Sequence, residues 1–182
     1  MKSSFLFFAC LLTSCFVTAQ EKLVIYGDAG GASPAMSMNI DKRFTAANGG
    51  LGFRAGIGLA PAQTRVLGQY PHWEGYGKWK FTIPLAVNYL KGDPTRPNFL
   101  EIALQGTYIP KGTVVDSWSS LNIENTRIVN RFMLSGFIGY RRSPVVKGVV
   151  FRIGYNPLLV DYEILHWFGA SLGWKFRKKR TS

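Results

Sequence analysis

The chain has 182 residues, of which 22 are lysine or arginine and 10 are aspartate or glutamate, so its formal charge is +12. This length suits one domain with a single core or a single small barrel, and nothing in the composition divides the chain in two. No stretch after the N-terminal segment offers the roughly 18 consecutive apolar residues that a transmembrane helix needs, which leaves a soluble exported domain or a membrane β-barrel.

The N-terminal segment, residues 1–19, has the features of an export signal. Lys2 precedes an apolar stretch over 5–12, and small residues follow up to Ala19. We expect cleavage after Ala19, which removes both cysteines of the chain and leaves a mature protein without disulfides. Residues 12–15 also resemble the lipobox of bacterial lipoproteins, in which Cys15 becomes the lipidated N-terminus, so this second cleavage site stays open.

The mature part of the chain is predicted to form eight β-strands. Runs with period-two alternation are separated by Gly, Pro, Asn and Asp, and helical spacing is nowhere sustained. In chain order the strands are predicted over residues 21–28, 29–44, 51–60, 78–90, 100–108, 131–141, 148–156 and 168–176.

The run over 78–90 shows the alternation most clearly. Trp79 and the odd-numbered positions through Tyr89 form an apolar face, whereas Lys80 lies on a face of polar or small side chains. Successive side chains of a strand point to opposite faces, so such a strand has one apolar wall and one polar wall. Pro84 lies mid-strand and removes a ladder hydrogen bond, which predicts a bulge or local distortion there.

The orientation of the apolar wall decides the class of barrel. A soluble barrel turns this wall inward, whereas an outer-membrane barrel turns it to lipid and fills its interior with polar side chains. Trp79 and Tyr89 are ten residues apart, about 33 Å along a strand, which a tilt of about 40° reduces to the roughly 25 Å height of a lipid-facing band. We therefore predict two interfacial aromatic girdles, formed by Trp79, Tyr89, Tyr108, Tyr140, Tyr155, Trp174 and Phe176.

The opposite wall combines glycines with charged and amide side chains, which suits a narrow lumen filled by a charge and hydrogen-bond network. The run over 131–141 is less regular, because Met133 and Phe137 fall on its polar side. We expect Glu101 to pair with arginines of other strands and to pin the barrel, and proton or ligand handling is the less favoured alternative. The predicted network comprises Arg54, Lys80, Glu101, Gln105, Arg131 and Arg152.

The connections alternate in length. Short links near 48–50, 92–94 and 143–144 are predicted on the periplasmic side, and long loops over 61–77 and 110–127 outside, together with a shorter one near Asp161.

Charge follows the same division between the two ends. The inner turns and the tail are predicted to hold Lys42, Arg43, Lys91, Arg96, Arg141, Arg142, Lys147, Lys175, Arg177, Lys178, Lys179 and Arg180 against only Asp41 and Asp93. The outer loops are predicted to hold the acids Asp28, Glu74, Asp116, Glu124, Asp161 and Glu163 against the cations Arg65, Lys78, Lys111 and Arg127. The basic rim is expected either to contact phospholipid phosphates or to be a solvated surface, and nucleic acid is not an expected partner.

These features resemble the small eight-stranded outer-membrane β-barrels of Gram-negative bacteria. The last predicted strand, with Trp174 and Phe176, is similar to the C-terminal aromatic signal by which such barrels are recognised for assembly, although residues 177–182 continue beyond it. The resemblance implies an all-β, up-and-down antiparallel transmembrane barrel over 20–177 with a basic tail over 178–182. It also implies outer-membrane lipids and the barrel assembly machinery as partners.

No catalytic, metal or cofactor site is predicted. His166 and Ser171 fall on opposite walls of one strand, and His72 with Glu74 in a loop is a weak signal for a metal.

We expect a structural or adhesion role in which the outer loops, over 63–76 and 111–125, meet an extracellular partner. The alternatives are a soluble or lipid-anchored lipocalin-like barrel that holds a lipophilic ligand, and, less favoured, a lipid-modifying barrel enzyme with His166 as the first residue to test.

Overall fold

The computed structural model describes residues 22–31, 33–45, 47–60, 63–67, 70–72, 79–118, 126–160 and 163–177. The strands in this part of the chain are β1 (Lys22–Ala29), β2 (Met36–Arg43), β3 (Gly50–Ala60), β4 (Gln63–Leu67), β5 (Tyr70–His72), β6 (Lys80–Lys91), β7 (Asn98–Trp118), β8 (Thr126–Arg142), β9 (Gly148–Tyr155), β10 (Leu158–Val160), β11 (Glu163–Leu165) and β12 (Phe168–Arg177). None of the described residues belongs to a helix that could span a membrane. The predicted signal peptide and basic tail lie outside the described residues.

Eight of these strands close into a barrel. The ring runs β1, β2, β3, β6, β7, β8, β9 and β12, each antiparallel to its neighbours, and β12 returns to pair with β1. The closing pair matches Lys22 with Arg177 and Ala29 with Ala170. Closure leaves no sheet edge within the ring. The predicted up-and-down barrel of eight antiparallel strands is confirmed.

The connections differ between the two ends of the barrel. The turns over 44–49, 92–97 and 143–147 lie at one end, called here the short-turn end, and the longer connections between β3 and β6, β7 and β8, and β9 and β12 lie at the opposite, long-loop end. At the short-turn end the Ser143 amide donates to the Pro97 carbonyl at 2.7 Å, and the Asn48 side chain donates to the Ser143 carbonyl at 2.9 Å. These bonds tie separate turns together.

The predicted outer loops contain more strand than the sequence indicated. β7 and β8 continue as a paired hairpin from Thr113 opposite Asn130 to Ser117 opposite Thr126, after a register shift that includes Pro110. The connection after β3 forms a β4–β5 hairpin, and β4 pairs with β7 in parallel. The prediction of loop over 61–77 and 110–127 is therefore wrong for these stretches, while residues 61–62, 68–69, 73–78 and 119–125 lie outside the described part.

Pro84 produces a local interruption without a bulge. Ala55 pairs with Leu85 and Gly58 pairs with Thr82, so β3 and β6 keep one register on both sides of a gap in their ladder. On its other edge Pro84 stays in register with Thr107. Because Pro84 has no amide donor, one stretch of the β3–β6 ladder is interrupted. The register of the strands is unchanged.

The apolar wall faces outward and the polar wall faces the interior. In β6, Leu85 and Val87 are 53 % and 54 % exposed, whereas Thr82 and Asn88 are 0 % and 1 % exposed. The same alternation holds in β2, where the even-numbered apolar residues Met36, Met38 and Ile40 are exposed. Apolar side chains also enter the interior near the long-loop end, where Ala60, Ile109, Met133 and Leu158 form a small cluster.

Candidate functional site

The interior of the barrel holds a buried set of charged side chains, called here the lumen network. Its members are Asp28, Asp41, Arg43, Arg54, Glu101, Arg141 and Arg152, each at most 6 % exposed. Asn88 of β6 and Ser171 of β12 join them through hydrogen bonds, so all eight strands of the ring contribute. Buried charges are tolerable in a protein when they are paired in this way.

Glu101 links its own strand to three others. Its Oε1 atom accepts a hydrogen bond from Arg54 Nη2 at 2.5 Å, and its Oε2 atom lies 3.4 Å from both Arg141 Nη1 and Arg152 Nε. The carboxylate therefore joins β7 to β3, β8 and β9. No solvent-exposed surface remains on this side chain.

Asp41 forms a second centre, closer to the short-turn end. Its carboxylate lies 2.7 Å from Arg43 Nη2, 3.0 Å from Arg141 Nη1 and 3.6 Å from Arg54 Nη2. Asn88 Nδ2 donates to Asp41 Oδ2 at 2.6 Å. Asp41 and Arg43 meet because residues two apart on a strand share a face.

Arg152 connects the network to aromatic side chains and to β1. Its guanidinium carbon lies 3.8 Å from the ring centroid of Phe137 and 5.9 Å from that of Tyr26, and Nη1 lies 3.5 Å from Asp28 Oδ2. Ser171 Oγ donates to Asp28 Oδ1 at 2.7 Å. Cation–π contact gives the inward-facing Phe137 a polar partner, which explains its place on the polar wall.

Gln105 extends the network to the chain reversal between β1 and β2. It accepts from Arg54 Nη1 at 3.1 Å and donates to the Asn156 side chain and to the Gly136 carbonyl, the latter at 3.3 Å. Asn156 Nδ2 in turn donates to the Gly31 carbonyl at 2.7 Å. Side-chain amides thus carry the network to the long-loop end.

Glycines make room for these large interior side chains. A Cβ atom on Gly52 would lie 2.3 Å from Cζ of Arg43, and one on Gly173 would lie 2.2 Å from Cβ of Tyr26. Both contacts are far shorter than a carbon–carbon van der Waals separation of about 3.5 Å. The glycines on the polar wall therefore allow arginine and tyrosine to occupy a narrow interior.

Comparison with known proteins identifies the fold. No protein family and no curated protein matches the sequence. The crystal structure of the N-terminal β-barrel domain of Pseudomonas aeruginosa OprF is similar, with a TM-score of 0.52 and 10 % identity over 87 % of this chain and 98 % of that one. The two chains share a fold. Function has to be argued from this chain's own surfaces and interior.

The residues predicted for the network divide into two groups. Arg54, Glu101, Gln105 and Arg152 lie together as described above. Lys80 is on the inward face but only half-buried, and Arg131 is exposed, so neither side chain belongs to the lumen network. Arg131 occupies an inward position of β8 beyond the end of β9, whose last residue pairs with Ile138, so the ring does not enclose it.

Some charges counted with the two rims in the sequence analysis are buried in the barrel interior. They are Asp28, Asp41, Arg43 and Arg141 of the lumen network, together with Lys175, all nearly inaccessible. Lys175 donates to the Asn48 side chain and to the Pro144 carbonyl, the latter at 2.7 Å, and so fills the short-turn end. Alternation contained the signal, because Arg141 shares the face of Ser135 and Gly139 in the run predicted over 131–141, but a position close to a turn does not by itself show whether the side chain enters the interior.

The residues predicted for the aromatic girdles lie on the outer wall in two groups. Trp79 and Tyr108 are near the long-loop end, and Tyr89, Tyr140, Trp174 and Phe176 are near the short-turn end, each between 42 % and 56 % exposed. Tyr155, also near the long-loop end, is half-buried.

The two side chains weighed as catalytic candidates have separate partners. Tyr155 OH is 2.6 Å from His166 Nδ1 and the two rings stack, whereas Ser171 is bonded to Asp28 inside the barrel. His166 and Ser171 are not brought together. Among the described residues no group of three His, Cys, Asp or Glu side chains is arranged to hold a metal ion.

Proposed function

We propose that the protein is an integral outer-membrane β-barrel with a filled lumen, which anchors its long-loop end at the cell surface for contact with an external partner. The observation that carries this proposal is the reversed polarity of the molecule: charged groups are inside and the exposed outer wall is apolar. A water-soluble protein rarely exposes an apolar patch of more than a few hundred Å². Hydrocarbon is the solvent for which such a wall is suited.

The outer wall supports this reading over its whole circumference. Exposed aliphatic side chains lie between the two aromatic groups on seven of the eight strands of the ring, and they include Ile40, Ile57, Leu85, Val87, Ile102, Leu104, Ile138, Ile153 and Leu172. On the remaining strand, β1, Leu23 is exposed. Aromatic residues with polar atoms belong at the two membrane–water interfaces, where one end of the side chain is apolar and the other is hydrated. The fold shared with the OprF barrel domain is consistent with this arrangement.

The filled interior favours an anchoring role over an open pore. An eight-stranded barrel has room inside for side chains only, and here the space is occupied by the ion pairs of Asp41 and Glu101. A permeating solute would have to separate these ion pairs. Leaving one buried ion without its partner costs on the order of several kcal/mol in a protein interior.

The same interior argues against a lipocalin-like carrier. A lipophilic ligand needs an apolar cavity, whereas the described interior between β3 and β9 contains Arg54, Glu101 and Arg152 in mutual contact. The apolar wall that such a ligand would contact faces outward instead. We therefore do not favour the soluble alternative.

Carbonate extraction tests the proposal. Membranes from a Gram-negative host that expresses the full chain are washed with sodium carbonate at high pH and with high salt, and we expect the protein to stay in the membrane until detergent is added. The extracted protein should also migrate differently on a detergent gel before and after boiling, because a closed barrel resists the detergent when cold. Release by carbonate together with unchanged migration on boiling would contradict an integral barrel.

A further inference from the structure

Three strands that run toward the short-turn end finish in cations on the outer wall. These are Lys42 of β2, Lys91 of β6 and Arg142 of β8, in the last or next-to-last position of each strand. Lys91 and Arg142 are exposed and Lys42 is half-exposed. On the same face, Tyr89 lies two residues before Lys91 and Tyr140 lies two residues before Arg142.

The spacing places these cations just beyond the aromatic group. Two residues of a strand tilted by about 40° correspond to a rise of about 5 Å. The polar layer of a bilayer is roughly 5–8 Å thick on each side of the hydrocarbon. If the tyrosines mark the edge of the hydrocarbon, the ammonium and guanidinium groups lie at the depth of the lipid phosphates.

The three cations have no acidic partner in the described part of the chain. Among the described residues of this end, the exposed carboxylate is Asp93, which accepts hydrogen bonds from the Thr95 hydroxyl at 2.6 Å and the Thr95 amide at 2.9 Å. These bonds, and the Arg96 guanidinium at 3.6 Å, lower the pKa of Asp93. The carboxylate therefore interacts with residues of its own turn. Lys42, Lys91 and Arg142 therefore present their charge outward.

At the long-loop end, the described part of the outer wall has no such feature. The described outward residues there are apolar, as at Met36, Leu59, Phe81 and Phe168, and the exposed Arg131 occupies an inward position of its strand. Within the described residues, the basic surface is therefore found at the short-turn end.

We propose that Lys42, Lys91 and Arg142 form a basic collar that binds the phosphate groups of anionic phospholipids in the leaflet on the short-turn side. The inference rests on the proposed membrane function and adds a lipid class and named contact residues to it. Lysine and arginine close to an anionic membrane surface each favour the negatively charged lipid. Charge-assisted hydrogen bonds from these side chains to phosphate oxygens supply the local contact.

Spin-labelled lipids measure this preference directly. The purified full chain is inserted in phosphatidylcholine vesicles that carry trace spin-labelled phosphatidylglycerol or phosphatidylcholine, and electron paramagnetic resonance gives the fraction of each label held at the protein surface. We expect the wild type to favour phosphatidylglycerol roughly threefold, with the ratio falling as salt is added. The triple variant Lys42→Gln, Lys91→Gln, Arg142→Gln should bring the ratio close to one.

The controls separate the possible failures. Arg131→Gln removes a cation from the other end and should leave the ratio unchanged, and the charge-keeping variant Lys42→Arg, Lys91→Arg, Arg142→Lys should retain it. Heat-modifiable migration verifies that each variant is folded. A wild-type ratio of one, or a ratio that persists in the folded triple variant, overturns the collar alone, whereas failure of the wild type to insert overturns the proposed membrane function.

Discussion

Glu101 lies within ion-pair distance of three arginines on three different strands and is fully buried. The guanidinium carbons of its neighbours Arg54 and Arg152 lie 5.0 and 5.9 Å from the ring centroid of Tyr26, so removal of the carboxylate leaves two guanidinium groups beside one aromatic side chain. The contribution of Glu101 to stability therefore shows when its carboxylate is removed, because the arginine charges then remain in a medium of low polarity.

Glu101→Gln keeps the size of the side chain and removes its charge. We expect the free energy of unfolding to fall by about 3 kcal/mol, the usual consequence of deleting one partner of a buried pair. Urea titration of the protein in lipid vesicles, followed by tryptophan fluorescence, measures the change. The matched control is Asp93→Asn, an exposed carboxylate in a turn, which should leave the unfolding midpoint nearly unchanged. Equal midpoints for the two variants would show that Glu101 does not pin the barrel.

At the scale of single strands, alternation predicted the faces well, and the larger differences at strand ends are the start of β2, the end of β7 and the start of β8. Arg54 and Arg152 were placed in the interior because they sit among glycines on the polar side of clear period-two runs. Asp41 and Arg141 share the polar face of the runs predicted over 29–44 and 131–141, but both lie close to a predicted turn and are counted there with the charges of the rim, although strand residues still follow each of them. Strand ends depend on the register with neighbouring strands, and that information is not local.

The extension of the β7–β8 hairpin also depends on pairing between strands and not on a local pattern. Residues 111–118 and 126–130 lack a clear apolar face, but they contain β-branched residues such as Val114, Val115 and Ile128 that favour strands. Their pairing is fixed by the partner strand, with Val114 opposite Val129. A pattern that depends on a buried face cannot detect a hairpin that continues beyond the barrel wall.

The outward face of β6 provides a test at the same scale. Leu85 is 53 % exposed in the middle of this strand. Leu85→Arg is expected to destabilise the barrel in vesicles by roughly 2–4 kcal/mol, because a cation near the middle of the lipid-facing band loses its hydration. The same urea titration measures it, with Leu85→Ala as the control for the lost side chain. If arginine and alanine had the same effect, β6 would not face hydrocarbon at this position.

For the whole molecule, closure of the ring and its reversed polarity work together. The ring satisfies the backbone hydrogen bonds of its strands, and the ion pairs of the lumen compensate the charges that six of the eight strands contribute to the network. The outer wall then needs no polar partner and is free to contact lipid. This division between the two walls was visible in the sequence of residues 78–90, where apolar and polar side chains alternate, but the identity of any partner at the long loops was not.

Spin labels on the outer wall test the orientation most directly. The mature chain predicted to begin at Gln20 has no cysteine, so single variants Leu85→Cys, Val87→Cys and, in a turn, Asp93→Cys can each carry one nitroxide. In vesicles we expect the labels at 85 and 87 to collide more often with oxygen, which concentrates in hydrocarbon, and the label at 93 to collide more often with a water-soluble nickel complex. Labels at 85 and 87 that favour the nickel complex as the label at 93 does would contradict a lipid-facing apolar wall.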